Sequence, residues 1–119
     1  MASRNASDIT GPAVADIDLS AVLAALNDPV RLGVVAALAQ HDGDVACGTF
    51  ELPIGKSSAS HHFRVLREAG VLRQYDQGTR RLNHLRRAEL DARFPGLVDL
   101  VLAEGRRIDV AIHAAVVAY

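Results

Sequence analysis

The stretch from Ser57 to Leu85 constrains the fold more than any other. Ser57 to Ala69 reads as one helix, with Ser57 as a candidate N-cap and Gly70 as a left-handed C′ residue. At 100° per residue, Ala59, Phe63 and Leu66 point one way. Ser57, Ser60, His61, Arg64 and Arg67 point roughly the other way. Val71 to Tyr75, the turn Asp76-Gln77-Gly78-Thr79, and Arg80 to Leu85 then read as a β-hairpin. A helix with an outward row of hydroxyls and guanidiniums, followed by a basic two-stranded ribbon, suits a DNA major groove and its flanking phosphates.

Charge supports that reading only when mapped. The net charge of the 119-residue chain is −1. From Lys56 to Arg87, eight basic residues stand against two acidic ones, a net +6. The remainder holds five basic against twelve acidic, a net −7. A basic stretch is the footprint expected for a polyanion partner, and a solvated charged face is the bland alternative. The acidic remainder is expected to face away from DNA.

One domain is predicted from this length, with a core of Ala, Val and Leu, since 50% of residues are hydrophobic and only 4% aromatic. Residues 1–17 read as a flexible N-terminal arm, 18–103 as the DNA-binding domain with dimerisation helices at both ends, and 104–119 as a C-terminal helical extension. No apolar run is long enough to cross a bilayer, and no basic-then-apolar leader is visible, so an intracellular, cytoplasmic protein without a membrane partner is expected. The single cysteine, Cys47, excludes an internal disulfide and an all-thiolate zinc site.

Leu19, Val22, Leu23 and Leu26 give a first helix its apolar stripe, with Asp18 or Ser20 as cap. Asp28-Pro29 opens a second, burying Val30, Val34, Ala37 and Leu38. Val45 to Lys56 is ambiguous, because Pro53 and Gly55 do not suit a helix interior. Arg86 to Phe94 reads as a short helix stopped by Pro95-Gly96, and Leu97 to Ala103 as another with Leu97, Val98, Val101 and Leu102 on one stripe. The apolar ends read as a dimer interface, with ordinary core packing as the alternative.

Two segments carry a family resemblance: A-L-N-D-P-V-R-L-G-V-V-A-A-L (Ala25 to Leu38) and S-A-S-H-H-F-R-V-L-R-E-A-G-V-L (Ser58 to Leu72). Together with the hairpin that has Gly78 at its tip, they resemble the ArsR/SmtB family of winged helix-turn-helix regulators over about residues 19–102. The resemblance implies a mainly α fold with a small β-hairpin, a homodimer on a palindromic double-stranded operator, and repression relieved by a metal or another inducer. Val45 to Lys56 departs from the family pattern, which has a regular helix there, often with Cys-x-Cys. A short or irregular element is expected, and a soft-metal thiolate site is not supported.

The DNA-contact candidates are Lys56, Ser57, Ser58, Ser60, His61, Arg64 and Arg67, with Arg73, Arg80 and Arg81 on phosphates. Adjacent His61 and His62 diverge by about 100°, so DNA contact suits His61 and a satisfied, partly buried role suits His62. Cys47 reads as a small buried hydrophobe. Asp109 and His113, four apart on one helical face, offer two ligands per subunit, and a surface hydrogen bond is the alternative. No cofactor is required by these readings. A nickel, zinc or cobalt ion is the metal effector that such ligands would favour. No phosphate-cradling glycine motif, HExxH or nucleophile elbow points to an enzyme. A transcriptional activator, or a protein-interaction module acting with a co-regulator protein, is the alternative function.

Overall fold

The computed structural model describes residues 6–41, 44–47, 50, 52 and 54–105. Among them are five α-helices and a four-stranded antiparallel sheet. The helices are α1 (Leu19–Leu26), α2 (Pro29–Ala39), α3 (Lys56–Ala69), α4 (Arg87–Arg93) and α5 (Leu97–Gly105). The strands are β1 (Ala6–Ile9), β2 (Val45–Ala46), β3 (Leu72–Gln77) and β4 (Arg80–Leu85), in the spatial order β1-β3-β4-β2.

Local chemistry explains most boundaries. Asp18 accepts from the Ala21 N–H at 3.0 Å and starts α1. Asp28 accepts from Val30 and Arg31 at 2.9 and 3.1 Å, and Pro29 takes the first helical position of α2. Gly70, at φ +87°, closes α3 through a paired motif in which Gly70 N–H donates to Arg67 O and Val71 N–H to Leu66 O. Gln77 pairs with Arg80, so the hairpin loop is Gly78-Thr79. Gly78, at φ +62°, supplies the left-handed residue that a two-residue hairpin loop needs at its first central position.

Three expectations need correction. Helix α3 begins at Lys56 with Gly55 as its N-cap, so Ser57 lies inside the helix and caps nothing. The sheet is larger than a hairpin, because β1 adds along β3 and β2 along β4. The arm expected at residues 1–17 carries paired structure from Ala6 onward. It runs through β1 and a 3-10 turn at Val14–Asp16 to Ile17, which is buried in the core. Its apolar anchor and its backbone ladder outweigh a composition that reads as coil. Helix α1 buries Val22 and Ala25 and leaves Leu19 and Leu23 outside.

One core joins Val22, Val34, Val35, Leu38, Phe63 and Leu66 to Leu72, Leu85 and Leu90. Leu82 belongs to a second, smaller cluster with Ala46 and Tyr75. The sheet is thus covered on both sides near β4, which explains why Leu82 and Asn83 are neighbours in sequence and both buried. Among the described residues of 44–55 no α-helix forms. Among the described residues no single helix is long and apolar enough to cross a membrane.

Candidate nucleic-acid interface

Helix α3 packs Phe63, Leu66 and Ala69 inward. Phe63 meets Phe50 edge-on, with ring centroids 5.2 Å apart. That anchoring leaves Lys56, Ser57, Ser58, Ser60, His61 and Arg64 exposed. His61 Nδ1 lies 3.4 Å from Arg64 Nη2. Since an arginine only donates, His61 would carry its proton on Nε2 in this arrangement. The outward face therefore presents hydroxyls at its N-terminal end and an imidazole–guanidinium pair one turn later, a donor–acceptor set able to meet base edges.

Arg67 behaves differently from its sequence reading. Its Nη1 donates to Gln74 Oε1 at 2.8 Å, and its Nε is buried with no hydrogen-bond partner among the described residues. It is half-buried and tied to β3. Gln74 and Asn83 are both essentially inaccessible, at 1% and 0% exposure. Gln74 Nε2 donates to Asn83 Oδ1 at 2.8 Å, and Asn83 Nδ2 donates to the Val45 carbonyl at 3.0 Å. Asn83 Nδ2 also lies 3.1 Å from Cys47 Sγ. Burial pushes the Cys47 thiol up, against smaller opposing effects led by its bond from Asn83. Cys47 is partly exposed and hydrogen-bonded at the end of this network. Sequence reasoning missed Gln74 and Asn83. The available signal was the hairpin register, which sets the two polar residues opposite one another on the face of Leu72 and Leu85.

The hairpin cations are largely engaged. Arg73 Nε donates to Asp8 of β1 at 3.0 Å, and its guanidinium stacks over the Tyr75 ring. Arg81 donates through Nε and Nη2 to both Asp76 oxygens, at 2.8 and 3.1 Å, across the ladder. That bond holds the Asp76 carboxyl below the usual carboxylate range and raises Arg81. Arg86 is similarly forked onto Glu89, and Arg87 pairs with Asp91 and Asp99. Arg80 is exposed beside the turn. The acidic remainder is thus interleaved with the basic stretch, contrary to expectation. Asp8 and Asp99 reach it from distant segments, because unlike charges close in space lower each other's energy wherever they lie in sequence. Sequence reasoning also missed Asp44, which accepts from the Tyr75 hydroxyl and lies 2.8 Å from His84 Nδ1, bracing the two hairpin strands from outside.

Between α3 and the hairpin lies an open cleft of about 1080 Å³. Ser57, Ser60, His61 and Arg64 line one wall, and Thr79 and Arg81 line the other, with Phe50 and Ile54 below. Arg73 and Arg86 lie on a different concavity, with Asp8 and Glu89. The ten candidate contacts therefore divide. Lys56, Ser57, Ser58, Ser60, His61 and Arg64 form one exposed helix face, Arg67 is recruited inward, Arg81 faces the cleft while paired, Arg80 is exposed beside the turn, and Arg73 lies elsewhere. Asp109 and His113 lie outside the described residues. Among the described residues, no group of three or more His, Cys, Asp or Glu could hold a metal ion. No model of a known protein family matches the chain, and no curated protein matches it.

Proposed function

We propose that the chain is a sequence-specific DNA-binding transcriptional regulator of the winged helix-turn-helix type, acting as a homodimer on a palindromic operator. The observation that carries this reading is the exposed face of α3, from Lys56 to Arg64, flanking a cleft whose opposite wall is the β3–β4 hairpin. Helix and ribbon side by side, with hydroxyl, imidazole and guanidinium groups outward, fit one groove and its phosphates. The ArsR/SmtB resemblance points to the same architecture. Leu19, Leu23 and Leu100, exposed at 43%, 49% and 61%, support pairing through α1 and α5, because large apolar groups facing water are the ordinary signature of an interface. Leu23, Leu26, Leu32, Leu100 and Val101 line one shallow groove there. Repression is the family default, and a nickel, zinc or cobalt effector would fall on Asp109 and His113.

One observation favours a second reading. Arg73, Arg81, Arg86 and Arg87 are already neutralised by carboxylates, which lowers the number of cations ready to release counterions from DNA. A protein-interaction module acting with a co-regulator is the alternative on that ground. The discriminating experiment selects duplexes from a random library and follows binding by fluorescence anisotropy against salt. The DNA reading expects a steep salt slope, loss of about tenfold or more in affinity for Arg64→Ala, and a slope shallower by about one for Arg80→Ala. A chain that selects no duplex and shows no salt-dependent affinity is the interaction module instead.

A further inference from the structure

The Asp28-Pro29-Val30-Arg31 opening of α2 does more than start a helix. The Arg31 guanidinium spans three elements. Its Nε donates to the Ala25 carbonyl at 2.5 Å, and Nη2 reaches the Ala24 carbonyl at 3.5 Å, both in the last turn of α1, where helix carbonyls lack partners four residues on. Its Nη1 lies 2.9 Å from Nδ1 of His62, on the inner margin of α3. Arginine only donates, so Nδ1 accepts and the His62 proton resides on Nε2. A single planar fork thus joins the end of α1, the start of α2 and the middle of α3.

We propose that Arg31 is a positioning residue, which holds the reading helix α3 in register with the dimer-facing helix α1 through an unprotonated His62, so that protonation of His62 releases α3 and weakens operator binding. The proposal rests on the DNA-binding reading above. A protonated ring would place an N–H on Nδ1, facing the Arg31 N–H, and would set two cations together. The groups around the ring are few. From α2, Asp28 favours the proton and Arg31 opposes it; on α3 itself, His61 opposes it. Helix α1 carries no titratable side chain between Leu19 and Leu26. On β3, also packed against α3, Arg73 is engaged by Asp8 and Asp76 by Arg81. Burial opposes the proton most strongly, and the ring titrates below the ordinary histidine value of 6.5.

Two measurements on the full chain decide the matter. The first follows the imidazole ¹⁵N shifts of His62 against pH in the wild type and in Arg31→Gln. The expected result is the Nε2–H form at high pH and a titration midpoint that rises in the variant. An Nδ1–H form, or a midpoint unmoved by Arg31→Gln, overturns the link. The second follows anisotropy of a library-selected duplex from pH 8 to 5.5. The wild type is expected to lose affinity severalfold over this range as His62 titrates. His62→Asn, whose amide oxygen can replace Nδ1 as acceptor, should match the wild type at pH 8 and lose that dependence. An unchanged pH profile in His62→Asn overturns the regulatory half. Failure to select any duplex overturns the DNA-binding reading and that half with it, while the nitrogen shifts still decide whether Arg31 and His62 are coupled.

Discussion

Gln74 and Asn83 sit directly opposite each other in the β3–β4 ladder, and a 2.8 Å hydrogen bond joins their side chains beneath the hairpin. Both amides are withdrawn from water, so each satisfies the other, with Arg67, Val45 and Cys47 taking the remaining capacity. This places a polar, directional contact under the hairpin where an aliphatic pair would allow more slippage.

Removing one partner is therefore costly. Asn83→Ala is expected to destabilise the fold by about 1–3 kcal/mol, since it leaves the buried Gln74 amide short of an acceptor. The paired replacement Gln74→Leu with Asn83→Leu removes both amides but leaves Arg67 Nη1 and the Val45 carbonyl without these partners, so it should cost at least as much as Asn83→Ala alone. Urea denaturation of the two variants beside the wild type checks both statements.

Gly70 is the position where a methyl group cannot be accommodated. A Cβ there would lie 2.8 Å from Ile17 Cγ1 and 3.1 Å from Pro12 Cγ, on a backbone at φ +87°. Gly70→Ala is expected to lose about 2–4 kcal/mol, from left-handed strain and overpacking together. Gly55→Ala, with nothing among the described residues within 4 Å of the added Cβ, should change stability far less. Thermal melts of the two variants make the comparison.

Acid should weaken the fold in two windows. His62 has a depressed folded pKa, so the unfolded chain takes the proton first and stability begins to fall below about pH 6.5. Asp76 and Glu89 are held below their ordinary values of 3.8 and 4.5 by hydrogen bonds from Arg81 and Arg86. Their contribution is present above those values and is lost as pH falls through the lower folded ones. Both carboxylates are more than a third exposed, so each loss is small. Urea midpoints at pH 7.5, 5.5 and 3.5 should decline in two steps, and Glu89→Gln should blunt only the second.

The exposed leucines predict an assembly defect. Leu23→Asp combined with Leu100→Asp removes two apolar contacts per subunit and introduces charge, and is expected to raise the dimer dissociation constant by about a hundredfold or more. Sedimentation velocity across a concentration series measures it. Wild-type chain sedimenting as a monomer throughout the series would remove the basis for reading this face as an interface.

Much of the fold was legible residue by residue because it follows from local rules. Asp18 and Asp28 cap where short acidic side chains precede apolar periodicity, Gly70 ends α3 because a left-handed residue is cheapest as glycine, and Gly78 sets the hairpin loop. The outward set of Ser57, Ser60, His61 and Arg64 followed from the helical repeat alone, once Phe63 and Leu66 were assigned to the core. These interactions span a few residues, so the neighbours in sequence are the neighbours in space.

Tertiary structure decided what local rules do not contain. Arg67 faces roughly outward on a helical wheel, yet it is drawn to Gln74 across to β3. Arg73 reads as a free cation until β1 brings Asp8 beside it from 65 positions away. Residues 6–17 read as coil, but they find a strand edge and a core site for Ile17. Arg31 reads as part of a helix opening, and only the packing of α1 and α3 around it creates the fork to Ala25 and His62. The helical repeat and the caps are written into adjacent residues, whereas electrostatic and hydrogen-bond partners depend on distance in space, which exists only after the chain has folded.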